Sequence, residues 1–191
     1  MARGLRIVGG TAGGRRLVAP KGSARPTTDR VKEALFNVLG AGVVDAAVLD
    51  LYAGSGALGI EALSRGAHSA VFVDDDQAAV DAIVSNVLST GFADDTRVMR
   101  MPVARFLDSV VRPVANTGAS FDLVFLDPPY DTTTAEVEAA LGALGASGCL
   151  NPGCRVVVER ARASEPPGFP PGWETEFQRG YGDTLLMVAT S

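Results

Sequence analysis

From Ala47 to Val158 short apolar runs alternate with stretches of helical period, and this alternation constrains the fold more than any other feature of the chain. Strands are expected at Ala47–Leu51, Ala70–Val73, Arg97–Met99, Phe121–Leu126 and Arg155–Val158. Between them the pattern predicts helices over about 57–65, 77–89, 103–111 and 134–144. In the second of these, Val80, Ile83, Val84 and Val87 are expected to face inward. Strand–helix alternation implies a parallel sheet with helices on both faces. The chain then changes character. A Pro/Gly-rich stretch at 166–172 precedes two further strand patterns, Glu174–Gln178 and Leu185–Ala189, joined by Gly180-Tyr181-Gly182-Asp183. That ending predicts an antiparallel hairpin.

Ahead of the alternation, Leu5-Arg6-Ile7-Val8 and Arg16-Leu17-Val18 flank a glycine-rich hexapeptide, a spacing that suits a small β-hairpin. Thr28 or Asp29 is an expected N-cap for a helix over about 29–39, with Val31, Leu35, Phe36 and Leu39 on one face and Gly40 as its stop.

The chain has 191 residues, 47% of them hydrophobic, enough for one compact core. No run is apolar and long enough to span a membrane, and the first residues lack the apolar stretch of a signal peptide, so a cytoplasmic location is expected. Cys149 and Cys154 are read as reduced structural thiols and His68 as a loop histidine; no metal site is expected. Charge is unevenly spread. Residues 1–32 hold eight basic residues against Asp29 alone, while the remainder holds nine basic against 21 acidic. A basic arm on an acidic body is a footprint of nucleic-acid contact. A solvated tail would look the same.

Two segments carry chemistry. The strand Phe121–Leu126 runs into Asp127-Pro128-Pro129-Tyr130, where two prolines force the backbone out of the sheet. Ligands bind at the carboxyl edge of such sheets. Asp127 and a backbone carbonyl can accept from an exposed amine, and Tyr130 can stack on a flat ring. The other segment, Val48 to Gly59, runs from strand through a glycine turn into helix and fits G-x-G-x-x-G. Asp74 follows Gly54 by 20 residues, the spacing of an NAD fingerprint. Asp50, just before the glycines, suits a cationic amino group better than a pyrophosphate and favours S-adenosylmethionine over NAD. Asp75 and Asp76 can also serve only as helix-start charges.

The Asp-x-x-x-Gly-x-Gly loop, the acidic end of the second strand and Asp127–Tyr130 together resemble class I SAM-dependent amino-methyltransferases. The stretches Arg6–Gly10, Gly14–Leu17, Arg25–Asn37 and Leu51–Ala67 further resemble the 16S rRNA (guanine-N2)-methyltransferase family, which modifies guanine 966 of the small-subunit RNA. The resemblance runs from about residue 4 to the final hairpin. It implies a Rossmann-like α/β fold: a mostly parallel seven-stranded sheet, the terminal antiparallel hairpin, and a small N-terminal β-hairpin extension over residues 1–28 preceding a methyltransferase domain over 29–191.

By the same resemblance, S-adenosylmethionine is held by Asp50, Tyr52, Ala53, Gly54, Ser55, Gly56, Gly59, Asp74, Asp75, Val103 and Asp127. Catalysis falls to Asp127, Pro128, Pro129 and Tyr130. RNA contacts fall to Arg3, Arg6, Arg15, Arg16, Lys21, Arg25, Thr27 and Arg30. Two positions depart from the family pattern: Asp74 stands where Glu is frequent, and Pro102-Val103 where Asn-Ala or Asp-Ala is usual. The implied partner is 16S rRNA or the small ribosomal subunit, bound by a monomer. A DNA adenine-N6 methyltransferase, a glutamine methyltransferase, an NAD-dependent oxidoreductase and a non-catalytic SAM-binding assembly factor remain alternatives on sequence.

Overall fold

The computed structural model describes residues 5–20, 28–111 and 120–191. Seven strands form one sheet: β1 (Ala47–Leu51), β2 (Ser69–Asp74), β3 (Thr96–Arg100), β4 (Phe121–Leu126), β5 (Leu150–Ala161), β6 (Glu174–Tyr181) and β7 (Thr184–Thr190). Their order across the sheet is β3-β2-β1-β4-β5-β7-β6. The first five are mutually parallel, and β7 pairs antiparallel with both β5 and β6. Both the parallel sheet and the closing hairpin follow the sequence pattern.

Among the described residues five α-helices, α1 (Asp29–Leu39), α2 (Ala57–Ser64), α3 (Gln77–Thr90), α4 (Val103–Val111) and α5 (Thr134–Ala146), cover the two faces. Side-chain alternation along the strands sorts the core into two layers. Val48, Phe72, Leu123, Phe125, Val157, Leu186 and Val188 pack toward α1, α2 and α3. Leu49, Leu51, Val73, Val124, Leu126, Val156 and Val158 pack toward α4 and α5. The helix boundaries have local causes. The Thr28 hydroxyl accepts from Val31 N–H at the start of α1, and the Gly40 N–H closes its end on the Phe36 carbonyl. Thr133 and Glu136 form a reciprocal capping box on α5.

Two expectations are corrected, and a third is met in a shorter form. In α3, Ile83 and Val87 are buried, but Val84 is 41% exposed, and Asn86 and Thr90 take inward positions. The polar residues face in because Asn86 has a polar partner there. Its amide accepts from Val18 N–H at 2.7 Å and donates to the carbonyls of Val18 and Ser55. Strand β5 starts at Leu150, five residues before the expected Arg155, through a register shift against β4 between Phe121 and Leu123. Among the described residues the N-terminal hairpin is one antiparallel bridge, Arg6 with Arg16, flanked by hydrogen bonds such as Leu17 N–H to the Leu5 carbonyl.

That bridge is held by the body more than by itself. Leu5, Ile7, Ala12 and Leu17 are buried in the same core layer as α1 and α2. Glu61, fully buried on α2, accepts from the N–H groups of Val8 (2.7 Å) and Gly9 (2.8 Å). Ser64, at the end of α2, accepts from Ala12 N–H through its hydroxyl and from Thr11 N–H through its carbonyl. Gly10 has φ +75° at this contact, and a Cβ there would lie 1.8 Å from the Ser64 carbonyl oxygen, so only glycine fits.

Candidate active site

The chain order turns back at β1, which lies between β2 and β4. Connections leave β1 and β4 on opposite sides there, opening a crevice at the strand ends. A cleft of about 970 Å³ occupies it, lined by Asp50, Tyr52, Ala53, Gly54 and Ser55 from the β1 end, Asp74 and Asp75 from the β2 end, and Asp127–Tyr130 from the β4 end. The two segments singled out in the sequence thus meet at one site.

Asp50 is 2% exposed, and its Oδ2 accepts from Gly59 N–H at 2.9 Å. Burial pushes its carboxyl well above the usual range; the Gly59 hydrogen bond pulls the other way, and the carboxylates of Asp127 and Asp74 push it further up. Asp74 binds the glycine turn, one oxygen accepting from Gly54 N–H (2.8 Å) and the other from Asp76 N–H (3.0 Å). Burial raises its pKa too, the two hydrogen bonds opposing. Asp75 is exposed at the rim and Asp76 caps α3 through Ala78 N–H.

The glycines divide by role. Gly54 lines the cleft, whereas Gly56 and Gly59 are buried and absent from its wall. A Cβ on Gly59 would lie 2.4 Å from the Phe72 ring, and one on Gly56 would press on Phe72, Ile60 and Ile83. Both glycines let α2 pack closely on β2, and the Gly59 N–H orients Asp50. Tyr52 sits at φ +58°, uncommon for a residue with a side chain. That conformation swings the chain out of β1 into the turn, and burial raises the phenol's pKa.

At the β4 end Asp127 is half-buried, Pro128 buried and Pro129 exposed, and Tyr130 is 58% exposed at the mouth. Thr132 N–H closes the turn on the Pro129 carbonyl. Val103 lines the cleft beside Pro102 and Ala104 at the start of α4, as an apolar wall.

Sequence reasoning missed several wall residues: Leu5 and Ala19 from the arm, Asp108, Asp131, Glu136 and Glu159. None belongs to a motif, and chain folding alone brings them there. The wall among the described residues carries eight carboxylates (Asp50, Asp74, Asp75, Asp108, Asp127, Asp131, Glu136, Glu159) and no basic side chain. Such a wall opposes a pyrophosphate and suits a ligand with positive charge. That disfavours NAD.

The basic residues lie elsewhere. Arg15, Arg16 and Arg30 are exposed. Arg6, expected at RNA, is engaged with Asp29 at 2.8 Å. Lys32, counted with the basic arm, is fully buried, donates to the Arg6 carbonyl and lies 4.0 Å from Glu61. Its burial lowers its pKa, with Glu61 and Asp29 opposing. Arg3, Lys21, Arg25 and Thr27 fall outside the described residues. His68 is a loop residue bonded to the Asp45 carbonyl, and both cysteines are buried and unpaired. Burial pushes the Cys154 thiol up to about 12. No helix among the described residues is long and apolar enough to cross a membrane.

Comparison with known proteins agrees with this geometry. Residues 5–190 match the family described as conserved hypothetical protein 95. The chain is 37% identical over 185 residues to ribosomal RNA small subunit methyltransferase D of Escherichia coli, covering 96% of this chain and 88% of that one. It is 34% identical to the protein of the same name from Haemophilus influenzae, over 88% of this chain and 84% of that one. The solved structure of a hypothetical protein from Thermus thermophilus superposes with a TM-score of 0.79 at 35% identity, covering 96% of this chain and 98% of that one. An RNA methyltransferase of Salinibacter ruber in complex with S-adenosyl-L-homocysteine, 18% identical with a TM-score of 0.60 over 87% and 93% of the chains, shares the fold. A Rossmann-like sheet closed by an antiparallel hairpin, an acidic cleft at its switch point, and identity spread over nearly the whole chain lead to one conclusion: the chain belongs to the ribosomal RNA small subunit methyltransferase D family of methyltransferases.

Proposed function

We propose that this chain transfers a methyl group from S-adenosylmethionine to the exocyclic N2 amine of guanine 966 of 16S rRNA, acting as a cytoplasmic monomer on the small ribosomal subunit. The observation that carries this reading is the convergence of Asp127–Tyr130 with Asp50 and Asp74 on one cleft walled by carboxylates.

The residues present fit the cofactor. Asp50 is a buried carboxylate whose charged neighbours in the cleft are themselves carboxylates, so a cationic ligand group relieves a standing electrostatic cost. Asp74 is anchored by two backbone N–H groups and keeps lone pairs for ribose hydroxyls. Tyr52, Gly54 and Val103 give apolar or backbone surface for the remainder. When bound, S-adenosylmethionine supplies an electrophilic methyl carbon on a sulfonium.

The protein's part is to prepare the amine. Guanine N2 is a weak nucleophile because its lone pair is conjugated into the ring. Tyr130, exposed at the mouth, stacks on a base turned out of the RNA. The Asp127 carboxylate and the Pro128 carbonyl accept the two N–H bonds, aim the lone pair at the methyl carbon and favour the positive charge that develops on nitrogen. As the N–C bond forms and the S–C bond breaks, the amine's surplus proton leaves through Asp127. The basic groups outside the cleft, Arg15, Arg16 and Arg30, hold RNA phosphates, with Arg3, Lys21, Arg25 and Thr27 assigned the same task from sequence.

The test is methyl transfer from labelled S-adenosylmethionine to small ribosomal subunits lacking the modification, with the labelled nucleotide mapped. Wild type is expected to label one guanine N2. Asp127→Ala is expected to lose at least about 100-fold in kcat with cofactor affinity changed only a few-fold, because the carboxylate acts on the amine. Absence of label on subunits and on free 16S RNA overturns the assignment.

A further inference from the structure

Glu159 is a carboxylate to which the mechanism above gives no work. It lies on β5, is 8% exposed, and lines the cleft with Asp127 and Pro128. These three residues also border a smaller recess at the β4–β5 end, together with Tyr130 and Arg160. Strand register explains the juxtaposition. Leu126, the last residue of β4, lies opposite Val158 of β5, so Asp127 leaves β4 next to Glu159 of β5. Phe125 and Val157, two residues earlier on each strand, both face the α1–α3 layer. With a period of two, Glu159 points to that same side, and it shares the cleft wall with Asp127. Arg160, next along, points the other way and gives its Nη2 to the Thr132 carbonyl at 2.7 Å.

A base whose amine is held at Asp127 and Pro128 can turn a ring nitrogen beside the amine-bearing carbon toward Glu159; of the two that flank this carbon in guanine, N1 and N3, only N1 suits a carboxylate. An ionised carboxylate only accepts hydrogen bonds. In guanine that nitrogen, N1, carries a hydrogen and donates. In adenine the corresponding N1, and in cytosine N3, is an acceptor and faces the carboxylate lone pair to lone pair. We propose that Glu159 is the specificity-determining residue of this site, selecting guanine over other amine-bearing bases by accepting its N1–H while Asp127 and the Pro128 carbonyl hold N2. This rests on the methyl-transfer reading above and adds how the base is chosen. A buried polar group left facing the wrong partner discriminates far better than lost apolar contact.

The test exchanges both partners. Splint-ligated small-subunit RNA carries either guanine or 2-aminopurine at the nucleotide that wild type methylates, and is reconstituted into particles. 2-Aminopurine keeps the amine on the same carbon but makes N1 an acceptor. Wild type is expected to favour guanine by about 10- to 100-fold in kcat/KM. Glu159→Gln, whose amide N–H can donate to that acceptor, is expected to lose about 10- to 100-fold on guanine without losing on 2-aminopurine, so that the preference collapses to within a few-fold. Its affinity for S-adenosylmethionine alone, measured by calorimetry, is expected to match wild type. Wild type using both bases equally well overturns the proposal without any variant. So does a Glu159→Gln enzyme that keeps the wild-type preference or loses equally on both bases, for then Glu159 acts through packing or general charge. No transfer by wild type to guanine particles is the separate failure of the methyl-transfer reading, and this proposal falls with it.

Discussion

Asp50 is the residue whose two tasks conflict. It sits in a fully covered position beside Asp127 and Asp74, and burial holds its carboxyl well above the ordinary range. A carboxyl whose folded pKa is raised contributes stability that is complete below its unfolded pKa of about 3.9 and is lost as pH rises through the folded value. Asp50→Asn is therefore expected to raise the melting temperature of the ligand-free protein at pH 8, by about 2–4 °C for each kcal/mol released. The gain should fade as pH drops toward about 4 in thermal scans. The same substitution should weaken S-adenosylmethionine binding by roughly tenfold or more, since a charge-assisted contact is worth about 1.5–3 kcal/mol. A variant that loses stability at pH 8, or binds the cofactor as wild type does, removes Asp50 from this role. Much at this scale was legible: Asp50, Asp74, Asp127 and Tyr130 all reach the cleft wall expected of them. The left-handed backbone of Tyr52 was not, because a φ of +58° is imposed by the turn and leaves no trace in residue type.

Among elements, the N-terminal segment differs most from its expectation. The Gly- and Arg-rich sequence reads as a basic arm on a small β-hairpin or as a solvated tail, and residues 5–20 are moored to α2 and α3 by Glu61, Ser64 and Asn86. Glu61 carries the most: two backbone N–H groups, the Arg65 guanidinium at 2.8 Å and the buried ammonium of Lys32. Removing one partner of such a buried cluster leaves charge uncompensated. Glu61→Ala should cost about 3–5 kcal/mol in urea denaturation. Trypsin should then cut more readily after the exposed Arg15 and Arg16. Unchanged stability and cutting would show that the segment is held by its apolar residues alone. The helices of the body were easier to read than this segment because their caps and apolar spacing are local. Asn86 and Glu61 look like surface residues until their partners, 68 and 53 positions away, are known.

At the scale of the molecule, charge is unevenly placed among the described residues. The cleft wall is acidic, while Arg15, Arg16 and Arg30 lie exposed outside it. On the proposed function, the acidic wall repels phosphate from the cleft and the exposed arginines attract it. Changing Arg15, Arg16 and Arg30 together to Gln should reduce the slope of log affinity against log salt by roughly 2 to 3, if each neutralises one phosphate. Filter binding of small-subunit RNA at several salt concentrations measures this. An unchanged slope would place the RNA-binding surface elsewhere. The arithmetic is smaller than composition suggests, because Arg6 is paired with Asp29 and Lys32 is buried beside Glu61.

Residue order alone settles what depends on neighbours along the chain. Strand and helix periods, the N-caps at Thr28 and Thr133, the exit from β4 at Pro128-Pro129 and the glycine turn after β1 are all short-range chemistry. Folding in three dimensions settles which charges remain available and which glycines are for packing. It buries Lys32, wedges Gly59 against Phe72, brings Leu5 and Ala19 to the cleft and sets Glu159 beside Asp127. Those outcomes depend on strand order, register and burial, which join residues far apart in the chain and are fixed only when the two layers of the core close on the sheet.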